Sequence, residues 1–185
     1  VTQPLLAATL RLIASKGRDA FYEGPVAEDM VARLRELGGL HTLDDFAGQR
    51  AVYETPIAVP YGDHEVYECP PNGQGIVALM ILRALAGYDL YGGQTSEADR
   101  IHLLAEVTKA AYAVRDAYFC DPTTDAIDVA GFLSEDHAET TRAGICLDRA
   151  AAETAFDEPA HRDTVYLAVV DRDGNAISFI NSLFA

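Results

Sequence analysis

Apolar residues recur at helical spacing along the first third of the chain, and the points where the pattern stops define the predicted elements. The apolar stripe predicts a first helix from Pro4 to Lys16 and a second from Pro25 to Leu37. Proline suits the first turn of a helix, where its missing N–H has no partner, and glycine suits the position after the last turn. Thr42, followed by acidic residues, is predicted to cap a short third helix that ends near Gly48.

The next third of the chain changes from helical to β-forming patterns and back. Alternating β-formers between Tyr53 and Cys69, with Gly62 and Asp63 at the turn, predict a β-hairpin. A Pro- and Gly-rich loop then breaks regular structure before a strongly apolar helix from Ile76 to about Ala86. Ser96 is a good N-cap, and it predicts the start of a long helix that ends before Asp121.

The last segment differs from everything before it. Residues 164–170 and 176–183 are runs of β-branched, aromatic and apolar residues, and the sequence between them has turn chemistry, so the pattern predicts a second hairpin. Its apolar content is that of a central, covered sheet. Residues 121–163 are polar, rich in alanine and partly helical. Helices packed over such a sheet predict a layered α/β or α+β architecture.

Composition narrows the class of protein. The 185 residues are 49% hydrophobic and 23% charged, which is typical of a folded chain and not of a disordered one. The 29 acidic and 14 basic side chains give a formal charge of −15, which disfavours nucleic acid and anionic lipid surfaces as partners. Charges interrupt the apolar stretches well short of the roughly 20 residues that cross a bilayer, so no membrane contact is expected.

Residues with metal-binding or redox chemistry are too scattered to predict a site. The three cysteines Cys69, Cys120 and Cys146 have no paired spacing, so we expect buried free thiols and neither a disulfide framework nor a zinc site. The five histidines lack close pairing, which favours surface or hydrogen-bonded core positions and predicts no metal. The loop Asn72-Gly73-Gln74-Gly75 precedes a helix but lacks the lysine of a phosphate loop, so it is expected to be scaffold, as are Arg115 and Asp116.

A series of short motifs runs in order along nearly the whole chain. They are Gly17 to Gly24, Gly38-Gly39-Leu40 with Asp44-Asp45, Thr55-Pro56, Pro70 to Gly75, Glu106 to Ala113, Arg115-Asp116, Asp121-Pro122, Asp163-Thr164 and Val169 to Asn175. Their order and spacing resemble the γ-glutamyltransferase (γ-glutamyltranspeptidase) family of N-terminal-nucleophile hydrolases. The loop at residues 72–75 and the ending Ser178 to Phe184 are more similar to the bacterial γ-glutamyltransferase-like and acylase-like branch.

The resemblance implies an α+β fold, part of the αββα sandwich of that family. Residues 1–163 would be the C-terminal part of the large-subunit region and residues 164–185 the start of the small-subunit region, together one incomplete structural domain. The chain begins at Val1 without a methionine and stops directly after a predicted strand, so we expect an internal fragment of a longer protein.

The resemblance also implies self-cleavage between Asp163 and Thr164, after which Thr164 is the nucleophile. The chemistry is independently sensible, because a hydroxyl is a poor nucleophile at neutral pH and needs a base beside it. A free α-amine, with a pKa of about 7.7 to 8.0, is well matched to that task. Cleavage of the bond would create that amine.

The implied activity is cleavage of the γ-glutamyl amide of glutathione or a related compound, with transfer of the acyl group to water or an amino acid. Ser182 falls where the family often has a hydroxyl that hydrogen-bonds the nucleophile's amino group. Phe184 stands where the transpeptidases often have an asparagine, which leaves open a cephalosporin or other amide acylase. A noncatalytic homologue on the same fold is the remaining alternative.

The expected partners are a small γ-glutamyl substrate and the protein's own large and small subunits, with no cofactor. In the family, the arginine that binds the donor carboxylate lies upstream of the region aligned to Val1, and the oxyanion-hole glycines lie downstream of Ala185. This polypeptide alone is therefore expected to be inactive. The sequence leaves the compartment open between bacterial cytoplasm and periplasm.

Overall fold

The computed structural model describes residues 2–93, 95–152 and 164–182, and the chain divides into two compact units, Val1–Glu54 and Thr55–Ala185. The described residues form helices and two separate antiparallel strand pairs, which confirms the predicted α+β class. The predicted boundary between residues 163 and 164 is a cleavage point between two subunits and not a border between compact units. It stays a prediction.

The first unit is helical. Its elements are α1 (Pro4–Lys16), α2 (Asp19–Tyr22), α3 (Pro25–Glu36) and α4 (Leu43–Gly48). Prolines occupy the first turns of α1 and α3, as the sequence predicts. Thr42 caps α4 through a reciprocal pair of hydrogen bonds with Asp45, in which the Thr42 N–H donates to Asp45 Oδ2 at 2.7 Å and the Asp45 N–H donates to Thr42 Oγ1 at 3.3 Å. The hydrogen bonds from Thr42 lower the pKa of Asp45.

One guanidinium ties the segments of the first unit together. Arg18 donates to Glu23 Oε1 at 2.9 Å and to the carbonyl oxygen of Ala47 at 2.9 Å, so the start of α2 is joined to the end of α4. Its guanidinium also lies 4.7 Å from the centre of the Tyr22 ring. The short α2 is absent from the sequence prediction, because four residues are too few to show a helical period.

The second unit contains the remaining elements. They are β1 (Ile57–Tyr61), β2 (His64–Glu68), α5 (Gly75–Leu85), α6 (Glu97–Tyr118), α7 (Val129–Phe132), α8 (Glu135–Ala143), β3 (Thr164–Val170) and β4 (Ala176–Ser182). β1 pairs with β2 and β3 pairs with β4. The predicted hairpins and long helices are confirmed, and Ser96 accepts a hydrogen bond from the Asp99 N–H at 3.1 Å as the predicted cap of α6.

The core of the second unit surrounds α5, which contacts α6, α8 and the β1–β2 hairpin. Ile76 and Leu79 are fully buried. The first half of α5 packs near Ala111 and the second half near Leu103, so α5 and α6 run antiparallel. Only glycine fits at position 75, because a Cβ there would lie 2.8 Å from the Cβ of Glu68.

One expectation about burial is wrong. All three cysteines are exposed free thiols, because each follows the end of a helix or strand in a connecting segment, and such segments run over the surface. The large apolar side chains of β3 and β4 are between 52% and 70% exposed. The covering layers that their composition predicts are not found among the described residues.

Among the helices of the described residues, none combines the length and the apolar character that a bilayer crossing requires.

Candidate active site

The β3–β4 hairpin places Thr164 and Ser182 opposite each other. Thr164 is the first residue of β3 and its register partner is Ser182, the last residue of β4. Directly opposite residues of an antiparallel pair have Cα atoms about 4.5 to 5.5 Å apart and belong to the same face. The structure therefore brings together the two predicted site residues that it describes. Asp163, on the other side of the predicted scissile bond, lies outside the described residues.

The turn at the far end of the hairpin sets this register. The carboxylate of Asp171 accepts hydrogen bonds from the backbone N–H groups of Asp173 and Asn175, both at 2.9 Å, and from the Asn175 side-chain amide at 2.9 Å. These bonds, that of the Asn175 side chain first, lower the pKa of Asp171. Gly174 has a φ of 83°, a conformation that glycine adopts without strain. A register shift of one residue would move every side chain of a strand to the opposite face of the hairpin. By fixing the register, this turn determines which residue opposes Thr164.

The two faces of the hairpin differ in chemistry. The face that includes positions 164 and 182 also carries Tyr166 and Ser178, and the Ser178 hydroxyl donates to the Tyr166 oxygen at 3.1 Å. The opposite face is apolar along most of its length and consists of Val165, Leu167, Val169, Ile177 and Phe179 together with position 181. The hydroxyl groups are thus concentrated on one face, and the other face is suited to packing.

Side chains of α6 hold the segment from Cys146 to Ala151, which precedes the hairpin in the sequence. His102 Nε2 lies 2.9 Å from the carbonyl oxygen of Cys146, and the N–H of Ala151 donates to Glu106 Oε2 at 3.0 Å. Lys109 Nζ lies 2.6 Å from Glu106 Oε1 and donates to the Ala151 carbonyl oxygen at 3.1 Å. The hydrogen bonds from Lys109 and from the Ala151 N–H lower the pKa of Glu106. No local sequence signal predicts a role for these residues, because their backbone partners lie more than 40 residues away along the chain.

Two motifs that the sequence predicts as scaffold meet at one cleft. Arg115 Nη1 donates to Gln74 Oε1 at 3.0 Å, and Arg115 Nε donates to Asp116 Oδ1 at 2.8 Å. The cleft beside them has a volume of about 530 Å³ and includes Asn72 and Phe119 in its lining. Arg115 also lies 4.4 Å from the centre of the Tyr112 ring, so its contacts hold α6 against the loop before α5.

The described residues contain no group of three or more potential ligand side chains that could hold a metal ion. The sequence predicts that histidines lie at the surface or are hydrogen-bonded in the core, and His137 is an exception. Its buried Nε2 has no hydrogen-bond partner in the described part of the chain. The ring packs edge-on against Phe132 at 5.5 Å, a neighbour that offers no polar group. His161 lies outside the described residues.

A model of the protein family described as Gamma-glutamyltranspeptidase matches residues 1–184. The Glutathione hydrolase-like YwrD proenzyme of Bacillus subtilis (strain 168) is 38% identical over 182 residues, which cover 98% of this chain and 34% of that protein. The Oxamate amidohydrolase proenzyme of Klebsiella pneumoniae is 35% identical over 182 residues, with coverages of 98% and 34%. The chain spans about a third of the length of these curated relatives.

A crystal structure of cephalosporin acylase from Bacillus halodurans has a similar fold. The TM-score is 0.71 at 35% sequence identity, and the match covers 93% of this chain and 31% of that one. The two curated relatives are thus named as proenzymes, and the solved structure is named as an acylase.

Proposed function

Because the chain belongs to the gamma-glutamyltranspeptidase family, we propose that its parent protein is a self-processed γ-glutamyl hydrolase or transferase with Thr164 as the nucleophile. The observation that carries this proposal is the register of the last hairpin, in which Thr164 opens a strand directly opposite the hydroxyl residue Ser182. In this proposal the second hydroxyl residue lies across the strand pair from the α-amine that activates the nucleophile.

Self-cleavage is the first reaction of the proposed mechanism. The Thr164 hydroxyl attacks the carbonyl carbon of Asp163, the nitrogen of Thr164 leaves, and an ester replaces the peptide bond. Water then hydrolyses the ester, which releases the carboxylate of Asp163 and frees both the hydroxyl and the α-amine of Thr164. The residues 1–163 and 164–185 belong in this proposal to the large and small subunits, and the two subunits remain partners after cleavage.

Turnover then uses the amine that cleavage liberates. An α-amine with a pKa of about 7.7 to 8.0 accepts the hydroxyl proton near neutral pH. The activated Thr164 oxygen attacks the γ-amide of glutathione or a related compound and forms a γ-glutamyl ester, while the leaving amine takes up a proton. Water as acceptor gives hydrolysis, and an amino acid as acceptor gives transfer.

Ser182 is proposed to orient that amine. Its register position opposite Thr164 allows a hydrogen bond across the strand pair, and such a bond would hold the amine lone pair towards the Thr164 hydroxyl. Ser178 provides a matched comparison, because it lies on the same face of β4 but opposes Ala168.

An amide acylase is the second candidate function. The relative of known structure named cephalosporin acylase matches 93% of the chain. Phe184, which lies outside the described residues, also departs from the asparagine typical of the transpeptidases. A site of this kind would accept an acyl group without the α-amino group of glutamate.

Replacing Thr164 tests self-cleavage. We expect full-length parent protein with Thr164→Ala to remain one uncut chain, since no oxygen can attack Asp163. Thr164→Ser keeps a hydroxyl and should be cut at the same bond. Intact-mass spectrometry should show two wild-type chains that meet at Asp163/Thr164. Cleavage of that bond in the alanine variant would remove Thr164 from the mechanism.

Replacing the two serines of β4 tests the proposed role of Ser182. On processed parent protein, Ser182→Ala should lower kcat by about three- to tenfold, since one hydrogen bond to the amine is lost. Ser178→Ala should stay within about twofold of wild type, because its partner position is remote from Thr164. Equal kcat values for the two variants would contradict a special role for Ser182.

Two anilides with the same leaving group separate the two candidate functions. A γ-glutamyl anilide and a glutaryl anilide differ only in the α-amino group, so the ratio of their kcat/KM values measures recognition of that group. We expect the γ-glutamyl compound to be preferred, because a site built to hydrogen-bond an amino group discriminates strongly against an analogue that lacks it. Preference for the glutaryl compound would favour the acylase.

A further inference from the structure

Three side chains of α6 hold the chain shortly before the cleavage bond. His102, Glu106 and Lys109 are spaced by four and then three residues, which places them on one face of the helix. Their partners are backbone groups of Cys146 and Ala151. Ile145, the residue just before this segment, packs against the core cluster that contains Leu103. The chain therefore follows α6 from its core contact to Ala151.

Glu106 is the one charged side chain that is buried among the described residues, with 6% of its surface exposed. A buried carboxylate is costly unless both of its oxygens have partners. Here one oxygen accepts from Lys109 and the other accepts from the Ala151 N–H. The backbone of Ala151 is thus one of the two groups that make this buried charge tolerable.

Lys109 provides the second hydrogen bond between α6 and the backbone of Ala151, and the bonds of Glu106 and Lys109 to Ala151 are together called the grip. Its ammonium group contacts Glu106 at 2.6 Å and also donates to the carbonyl oxygen of Ala151 at 3.1 Å. Both polar backbone groups of Ala151 are therefore held by α6, and two bonds to one residue fix the direction of the chain as well as its position.

We propose that Glu106 and Lys109 are positioning residues for self-cleavage, which fix where and in which direction the chain leaves α6 towards the Asp163–Thr164 bond. The inference rests on the proposed function, because it assigns these residues to the self-cleavage step. They touch no reacting atom and act only through the backbone of Ala151.

The length of the tether, meaning the chain from Ala151 to Thr164, does not by itself explain a positioning role of Glu106 and Lys109. An extended chain reaches at most about 45 Å from Ala151 to Thr164. If the bonds to Ala151 are lost, the nearest upstream contact with α6 is the His102–Cys146 hydrogen bond, and from Cys146 the reach to Thr164 is about 60 Å. For a flexible tether, this lengthening changes the effective concentration of the ends by less than about twofold. The proposal therefore requires that the direction set at Ala151 is passed along the chain to the bond, and a loss of rate above about twofold would be the sign of it.

The test follows self-cleavage of the full-length precursor after a pulse of cell-free synthesis. Glu106→Gln keeps the shape of the side chain and removes its charge, and Lys109→Met keeps the stem and removes the donor. We expect both to slow precursor loss by at least about tenfold, the lower end of the population shift that follows from one lost charge-assisted hydrogen bond. Lys109→Arg, which keeps a cationic donor, should restore most of the rate.

Controls separate positioning from general stability. Glu97→Gln makes the same chemical change on the same helix at a side chain that is 81% exposed, and it should cleave at the wild-type rate. Once processed, the Lys109→Met protein should turn over a γ-glutamyl anilide with wild-type kcat, since the grip acts only before the cut. Lys109→Met leaves one oxygen of the buried Glu106 carboxylate without a donor and should lower the melting temperature, so its cleavage is measured at a temperature where circular dichroism shows the precursor fully folded.

The outcomes distinguish this inference from the proposed function. A wild-type precursor that is never cut, or a Thr164→Ala precursor that is cut, overturns the proposed function. A wild-type precursor that is cut, together with a folded Lys109→Met precursor that is cut at the same rate, overturns the positioning role alone. If Glu106→Gln does not fold, the Lys109→Met and Lys109→Arg pair decides the question.

Discussion

The packing of α5 is the constraint on which the rest of the second unit depends. Of its eleven residues, six are buried, namely Ile76, Val77, Leu79, Met80, Ala84 and Leu85. Because side chains around most of the helix are apolar, α5 must be covered on several sides, and α6, α8 and the β1–β2 hairpin supply those contacts. This arrangement fixes α6, and the position of α6 determines where Glu106 and Lys109 hold Ala151.

Cationic side chains connect segments that are distant in the sequence. The protein has only 14 of them against 29 acidic side chains, and several of the described ones bind far along the chain. Arg18 reaches the carbonyl oxygen of Ala47, Arg115 reaches Gln74, and Lys109 reaches Ala151. Arg142 pairs with Glu135 on its own helix and donates to the carbonyl oxygen of Ala84 at 3.3 Å, which joins α8 to the end of α5. Local helices formed by apolar periodicity are thus joined by a few charge-assisted hydrogen bonds.

The sequence predicts most elements because their signals are local. The cap at Thr42, the start of α6 at Ser96 and the two hairpin turns follow from neighbouring residues, and the structure confirms each of them. Long-range relations are a different matter. The pairing of Glu106 with a backbone group 45 residues later has no local signal, and the exposure of the cysteines depends on where connecting segments run. Thr164 itself would pass as an ordinary β-branched residue at the start of a strand, so its proposed role comes from the family resemblance and not from periodicity.

The central claim is that the oxygen of Thr164 attacks γ-glutamyl substrates only as the first residue of a new chain. Covalent labelling tests it most directly. A diazoketone analogue of glutamine carries an electrophilic carbon at the position of the γ-amide, so incubation with purified full-length protein followed by peptide mapping should place the adduct on Thr164 of the small subunit. An adduct on another residue of the processed protein, or stoichiometric labelling of an uncut chain, would contradict the account.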